Sequence, residues 1–200
     1  MSPVNLIALI ALNYNLRLLM ANRPISLHGM ALWFMASIMM IAASAFAATD
    51  QADLAVGMKT LPLLTNKITG TASLAIIYDP ANPASKEEAN GIKAVLDSGF
   101  EAPDLKLTGV LVPVGDLGKM AGSRIAILTG GLSAHYDAIN NAAISNSVLT
   151  MSTDLDCVRA NKCVLGLVSK PHVEIYYSKA AADAAKISFG QVFAMLVKQI

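Results

Sequence analysis

The sequence predicts an α/β fold: a single three-layer domain with a mostly parallel sheet, an antiparallel C-terminal edge hairpin and a final amphipathic helix. Apolar runs of strand length alternate with helical patterns over residues 73–151, which is typical of parallel strands joined by crossover helices. Two later strands are separated by only four residues, a link short enough for an antiparallel pair. The chain ends on apolar residues at helical spacing.

The first half of the domain begins with a helix over residues 51–67, interrupted near Pro62. Residues 73–78 are apolar on both faces, as a strand covered by helices on both sides would be. Residues 79–83 have turn composition, and Ser85 and Glu88 have the spacing of a capping box that opens the next helix.

The second half repeats the pattern and then changes. The predicted elements are strands at 105–112, 123–128 and 147–151, a short helix at 116–120, and a helix after the turn at 129–133 with Tyr136, Ile139 and Ala143 inward. The hairpin strands are 163–168 and 173–177, of which the second alternates as a half-exposed edge strand does. The final helix is predicted to place Phe189, Phe193, Leu196 and Ile200 on one stripe.

Composition excludes several classes of protein. Of the 200 residues, 54% are hydrophobic and 14% charged, which argues against a disordered chain. A net charge of +1 argues against binding nucleic acid through phosphate neutralisation. Two cysteines are too few for a disulfide scaffold or for a zinc site built from thiolates alone.

The N-terminal region predicts export. An apolar run at residues 30–43 is followed by Ala45-Phe46-Ala47, which has the pattern of a signal-peptidase site, and Arg23 supplies a basic leader. We expect cleavage after Ala47, so that 1–47 is an N-terminal extension with a signal peptide and 48–200 a single periplasmic α/β domain. The start codon at Met1, Met20 or Met30 stays open, as does retention of residues 30–48 as a membrane anchor.

Export also bears on the two cysteines. Cys157 and Cys163 would lie in an oxidising compartment, where a disulfide persists. The pair closes a short loop, so we expect a local disulfide rather than a reactive site.

Two turns at strand ends are candidates for ligand contact. Asp79 ends the first buried strand, where open α/β sheets bind ligands, although Asp-Pro-x-Asn-Pro is also good turn chemistry. Gly130 and Gly131 lie between a strand and a helix, where backbone N–H groups can hold an anion. The alternative is turn geometry that only glycine tolerates.

Two other segments are candidates for recognition. The polar residues 150–156 form either a recognition loop or a solvated connection held by the disulfide. Glu174, Tyr176 and Tyr177 lie on the predicted edge strand, which could dock a partner chain. Alternatively, one of the two tyrosines is buried beneath the last helix, which would explain its presence without a partner.

No catalytic or metal-binding arrangement is predicted. Ser133, His135 and Asp137 are spaced two apart on a helix, so their side chains diverge and cannot form a triad. The remaining histidine and acidic residues do not cluster with metal-ligand spacing. We expect a protein that is not an enzyme and uses no cofactor or metal.

The segment from Ala75 to Ala89, AIIYDPANPASKEEA, resembles the strand, turn and helix that open a lobe in periplasmic substrate-binding proteins of ABC transporters. Val148-Leu-Thr-Met-Ser-Thr-Asp154 is similar to a second strand end of such a lobe. The resemblance implies that Asp79, Asn82 and Thr129 lie near a ligand cleft. It departs from the family because those proteins clamp a ligand between two lobes, and residues 48–200 supply one.

The C-terminal half resembles the YfiR family of small periplasmic regulators. The resemblance is carried by residues 148–152, Cys157 and Cys163, Val173-Glu-Ile-Tyr-Tyr-Ser-Lys-Ala-Ala181, and Ile187-Ser-Phe189. Here Tyr177-Ser178 stands where the family has asparagine, and a second cysteine pair known in some members is missing. The resemblance implies a non-enzymatic exported protein that binds and restrains the periplasmic part of a membrane signalling protein, such as a diguanylate cyclase, with the disulfide tuning that binding.

The leading prediction is therefore a periplasmic regulator that binds an inner-membrane signalling protein and no nucleic acid. The alternative is the small-ligand-binding component of an ABC transporter, acting as a homodimer or as a one-lobe remnant. A regulator predicts a docking surface around Tyr176, Tyr177 and the last helix. A ligand carrier predicts a pocket at Asp79 and Gly130-Gly131.

Overall fold

In the computed structural model, residues 49–99, 101–102 and 105–200 are described. The predicted signal peptide and its cleavage site after Ala47 lie outside these residues. The strands are β1 (Gly70–Tyr78), β2 (Glu101–Ala102), β3 (Leu105–Pro113), β4 (Ser123–Leu128), β5 (Leu149–Ser152), β6 (Leu165–Val168), β7 (Glu174–Tyr177) and β8 (Lys198–Gln199). The α-helices are α1 (Gln51–Met58), α2 (Pro83–Asp97), α3 (Tyr136–Asn146), α4 (Leu155–Arg159), α5 (Lys179–Ala184) and α6 (Gln191–Ala194), and short 3-10 helices span Leu61–Leu63, Val114–Met120 and Ser133–His135.

The eight strands form one sheet in the order β2-β3-β1-β4-β5-β6-β7-β8. The central five, from β3 to β6, are parallel, whereas β2 pairs antiparallel with β3 and β7 antiparallel with β6. The predicted α/β fold with its mostly parallel sheet and C-terminal hairpin is confirmed. All central strands therefore end at one edge of the sheet, which we call the carboxyl edge, and begin at the opposite, amino edge.

Helices cover both faces of the sheet, which gives the three layers predicted. On one face, α1, α2, α5 and α6 pack against alternate strand residues such as Leu74 and Ile76. On the other face, α3 and α4 pack against the intervening residues, such as Ala75 and Ile77. Residues 74–77 of β1 and 125–128 of β4 are buried on both faces, so they are apolar and do not alternate, whereas β3 alternates between buried and exposed residues in its first half.

The C-terminal segment differs from its prediction. The final helix, α6, ends at Ala194, and Lys198 and Gln199 then pair as a parallel strand with Tyr176 and Tyr177. Phe193 is buried, but Leu196 and Ile200 are exposed, so the predicted stripe is wrong beyond Phe193. Pairing with β7 supplies partners for backbone groups that a bare edge strand would leave open.

Two further local predictions are corrected. The cap of α2 is Asn82, whose side chain accepts from the N–H groups of Ala84 and Ser85, so Ser85 and Glu88 form no capping box. The polar segment after β5 contains a helix, α4, which begins after Asp154. Cys157 in α4 is bonded to Cys163, with their Cα atoms 5.3 Å apart and both side chains buried.

Within the part of the chain that the structure describes, no helix is both long and apolar enough to cross a membrane.

Candidate functional site

The structure brings together the five residues predicted to bind a ligand. Asp79 and Asn82 follow β1, and Thr129, Gly130 and Gly131 follow β4, its neighbour in the sheet. The two turns therefore meet at the carboxyl edge, as the parallel topology requires.

Gly131 and Asn82 are in close approach. Gly131 has a φ of +78°, and a Cβ built on it would lie 2.6 Å from Nδ2 of Asn82. A side chain at this position would be strained and would collide with the residue that caps α2. The predicted alternative of a turn that requires glycine therefore explains Gly131.

Thr129 belongs to a buried hydrogen-bonded pair. Its hydroxyl donates to the carbonyl oxygen of Ile77 at 3.0 Å and lies 2.6 Å from the Ser85 hydroxyl. Ser85 Oγ also accepts from the Asp79 N–H at 3.0 Å. Both hydroxyls are buried, so they join α2 to the ends of β1 and β4 and do not face a ligand.

Glu88 occupies the anion position at the Gly130 turn. One of its carboxylate oxygens accepts from the Gly130 N–H at 2.9 Å, and the other accepts from the Thr49 N–H at 2.8 Å. The backbone donor predicted to hold a ligand's anion is thus used by the chain's own carboxylate. We call Ser85, Glu88, Thr129 and Gly130 the carboxyl-edge cluster.

The residues before α1 also lie against the carboxyl edge. The hydroxyls of Thr49 and Thr153 are 3.2 Å apart, and Asp50 forms a salt bridge with Lys170, which follows β6. The hydrogen bond from Lys170 lowers the pKa of Asp50. A cavity of about 260 Å³ lies beside this contact, lined by Asp50, Asp53, Thr153, Leu167, Val168, Ser169 and Lys170.

Much of the predicted recognition segment, residues 150–156, is built into the fold. Thr150 and Ser152 are buried in β5. Asp154 caps α4 and accepts a hydrogen bond from the Tyr136 hydroxyl. Burial, with Asp154 as a second cause, raises the pKa of Tyr136.

His135 was not predicted as part of the ligand site. Its Nε2 lies 4.0 Å from Oδ2 of Asp79, and its side chain is 38% exposed. The two residues are far apart in sequence, so only the pairing of β1 with β4 brings them together, and no local pattern could have indicated it.

The predicted partner-binding residues lie on β7, whose two faces differ. Glu174 accepts from the Tyr176 hydroxyl at 2.8 Å and from Lys198 at 2.6 Å. The hydrogen bond from Lys198, followed by that from Tyr176, lowers the pKa of Glu174. Tyr177 packs edge-on against Phe193 and Phe189, and burial raises its pKa.

The prediction that β7 is the free edge of the sheet is wrong, because β8 lies outside it. Tyr176 and Tyr177 pair with Lys198 and Gln199, and the Ile200 N–H donates to the Tyr177 carbonyl oxygen at 3.0 Å. A partner strand at this side of the sheet could therefore pair only with β8, which is two residues long.

Next to β8 lies a group of exposed apolar side chains, which we call the C-terminal apolar patch. Its members are Val192 (54% exposed), Met195 (78%), Leu196 (59%) and Ile200 (46%). Val192 lies in α6 beside the buried Phe193, and Met195 and Leu196 lie in the turn that follows the helix. Helical spacing continued to residue 200 predicts that Leu196 and Ile200 are buried, but the helix ends at Ala194.

Three solved structures are similar to this fold. A conserved domain protein from Vibrio cholerae has a TM-score of 0.53 at 11% identity, covering 74% of this chain and 60% of its own. The ABC domain from Streptococcus pneumoniae in complex with L-Trp has 0.52 at 11% identity, covering 71% and 58%. A substrate-binding protein with adhesive properties from Clostridium difficile, in its ligand-free open form, has 0.55 at 7% identity, covering 74% and 58%.

No family model matches the sequence, and no curated protein matches it. The chain spans about three fifths of the length of the solved structures it resembles. The fold is therefore of the class found in substrate-binding proteins, in agreement with the resemblance of residues 75–89 to a lobe of that class. At 7–11% identity, the likeness establishes the fold alone.

Proposed function

We propose that this protein is an exported, non-enzymatic regulator that binds the periplasmic part of an inner-membrane signalling protein through the C-terminal apolar patch and restrains it. The patch is the observation that carries the proposal. Four large exposed apolar side chains within residues 192–200 are typical of a surface that another molecule covers. The position beside Tyr176, Tyr177 and the last helix is where a regulator was expected to dock.

The charge around the patch favours a protein partner over a lipid surface. Lys198 is the one charged residue between residues 187 and 200, and its ammonium group is paired with Glu174. Helices that bind anionic membranes carry several basic residues beside their apolar face. A nearly neutral apolar surface is instead typical of the buried centre of a protein interface.

The disulfide gives this proposal a means of regulation. Asn161, in the loop closed by Cys157 and Cys163, accepts a hydrogen bond from the Ser178 hydroxyl at 2.6 Å, and Ser178 also caps α5. Reduction would loosen this loop and with it the start of α5. We therefore expect the redox state of the pair to change partner affinity, as the YfiR resemblance implies.

A second candidate is the capture of a small ligand for an ABC transporter, by a homodimer or a one-lobe form. The cavity beside Asp50 and Lys170 favours it, because it lies at the carboxyl edge, where α/β sheets bind ligands. Against it, Glu88 already holds the Gly130 N–H, and Asn82 and Thr129 bond within the chain.

Affinity capture after cross-linking in cells tests the two candidates. We expect the wild-type protein, recovered from solubilised membranes, to carry an inner-membrane signalling protein. Leu196→Glu should reduce that recovery at least about tenfold, since it places a charge in an apolar contact. Gln191→Glu adds the same charge to α6 at an exposed polar position and should leave recovery unchanged.

Recovery of a permease would favour the ligand carrier. Equal recovery by the wild-type protein and Leu196→Glu would contradict docking through the patch.

A further inference from the structure

A second cavity of about 260 Å³ lies at the amino edge of the sheet, opposite the site that the fold class predicts. Its walls come from the segment before β1, the starts of β4 and β5, the end of α3 and the segment after α5. Arg124, Ser147 and Lys186 provide polar groups, and Leu64, Leu149 and Ile187 provide apolar ones. One side of the cavity is therefore cationic and another is apolar.

The charge of the cavity is uncompensated. No aspartate or glutamate lines it, and among the described residues neither Arg124 nor Lys186 forms a salt bridge. The carboxyl ends of α3 and α5 contribute partial negative charge, about half an electron charge for a full-length helix. Two whole positive charges exceed that contribution, so the residues that line the cavity have a net positive charge, which favours an anion over a cation.

The backbone adds an independent observation. Ser147 and Lys186 have φ values of 52° and 59°, and they are two of the three non-glycine residues with positive φ in the described part of the chain. Each directly follows a helix or its cap, a position that glycine fills at no steric cost. Both positions therefore carry a side chain where the backbone favours glycine, and both residues line the cavity.

From these observations we propose that the amino-edge cavity binds a small organic carboxylate with an apolar body. Arg124 and Lys186 hold the carboxylate, the Ser147 hydroxyl donates to it, and Leu64, Leu149 and Ile187 contact the apolar part. The volume lies just below the roughly 300–1,000 Å³ of drug-sized pockets, so the ligand is about the size of an amino acid. This site is separate from the C-terminal apolar patch and does not depend on partner binding.

Two carboxylates and their neutral analogues test the proposal: 4-methylpentanoate and phenylacetate, against 4-methylpentanamide and phenylacetamide. We expect each carboxylate, added to the protein purified from expressing cells, to shift the backbone NMR signals of Ser147, Leu149 and Ile187 in a saturable way. The amides have nearly the same shape without the charge, and should bind at least about tenfold more weakly.

Variants separate binding from folding. Arg124→Gln should weaken carboxylate binding about tenfold, whereas Lys86→Gln, at an exposed lysine on α2, should leave it unchanged. Lys186→Gly should also weaken binding about tenfold, yet its melting temperature should be no lower than that of the wild-type protein, because glycine relieves the left-handed backbone.

Three results would overturn the proposal. The first is the absence of saturable shifts at the cavity with both carboxylates. The second is equal binding of the acids and amides. The third is a fall in stability for Lys186→Gly without a change in binding, which would make that side chain structural.

Discussion

The carboxyl-edge cluster and the C-terminal apolar patch differ in how many of their groups find partners within the chain. In the cluster, Glu88, Ser85 and Thr129 bond to backbone and side-chain groups of neighbouring elements. In the patch, large apolar side chains such as Met195 and Leu196 remain in contact with water. Proteins of this fold class bind ligands at the carboxyl edge, but in this molecule the polar groups there are already hydrogen-bonded. The apolar surface left exposed to water lies elsewhere, at the C-terminal apolar patch.

The physical reason lies in what each region would gain from another molecule. A ligand at the Gly130 turn would have to displace the Glu88 carboxylate and leave it to find new donors. A partner at the patch would remove apolar area from water, which is favourable by about 25 cal/mol for each Å² buried. The comparison therefore indicates a structural role for the cluster, and it is the reason why we propose the patch, and not the cluster, as the binding surface.

Removing the Glu88 carboxylate should have the largest effect on stability. Glu88→Ala leaves the N–H groups of Thr49 and Gly130 without their acceptor, and we expect it to lower the free energy of unfolding by about 3 kcal/mol. Glu87→Ala, at the neighbouring exposed position, should change it by no more than about 0.5 kcal/mol. Urea unfolding measures both. Equal effects would show that the cluster does not hold the edge together.

Removing the hydroxyl of Thr129 should have the second-largest effect on stability. Thr129→Val keeps the shape of the buried side chain but deprives Ser85 of its hydroxyl partner, at a cost of about 2 kcal/mol. Thr108→Val makes the same chemical change at an exposed position on β3 and should cost less than about 0.5 kcal/mol. If chemical denaturation gave the same midpoint for both variants, the Ser85–Thr129 pair would contribute nothing to stability.

The salt bridge between Asp50 and Lys170 should have the smallest effect, since both groups are at the surface. The folded state lowers the pKa of Asp50 and raises that of Lys170. Its stabilisation is therefore present near neutral pH, lost as pH falls through the Asp50 pKa, and lost again as pH rises through that of Lys170.

Lys170→Gln should lower the melting temperature by no more than about 2 °C at pH 7. The difference from the wild-type protein should shrink as the pH falls below the ordinary aspartate pKa of 3.8, and it should vanish once Asp50 is protonated in the folded state. A difference that persisted in acid would show that Lys170 stabilises the fold through packing instead of charge.

Sequence patterns predicted those elements whose character is local. The strand at 123–128 was predicted with the bounds of β4, and the predicted strand at 73–78 lies within β1, because continuous apolar runs bounded by turn residues are typical of buried strands. The turns at Asp79 and Gly130 were placed at one edge of the sheet because parallel strands share their direction.

The missed features depend on distant parts of the chain. Ser85 and Glu88 have the spacing of a capping box, but Pro83 is compatible with the first turn of a helix, so Asn82 becomes the cap and frees both residues for tertiary contacts. Strand β8 is only two residues long, and its extended form depends on the free backbone groups of β7. Leu196 and Ile200 are exposed because the chain forms β8 here instead of continuing the helix. Helical periodicity alone therefore predicted, wrongly, that both side chains are buried.

Site-specific photo-cross-linking in cells tests the central claim most directly. A photoreactive amino acid would replace Leu196 in the patch, or Ala81 at the exposed rim of the carboxyl edge. We expect the probe at position 196 to give a covalent adduct with an inner-membrane signalling protein, and the probe at position 81 to give none. An adduct at position 81 without one at position 196 would contradict the account and make the carboxyl edge the binding surface.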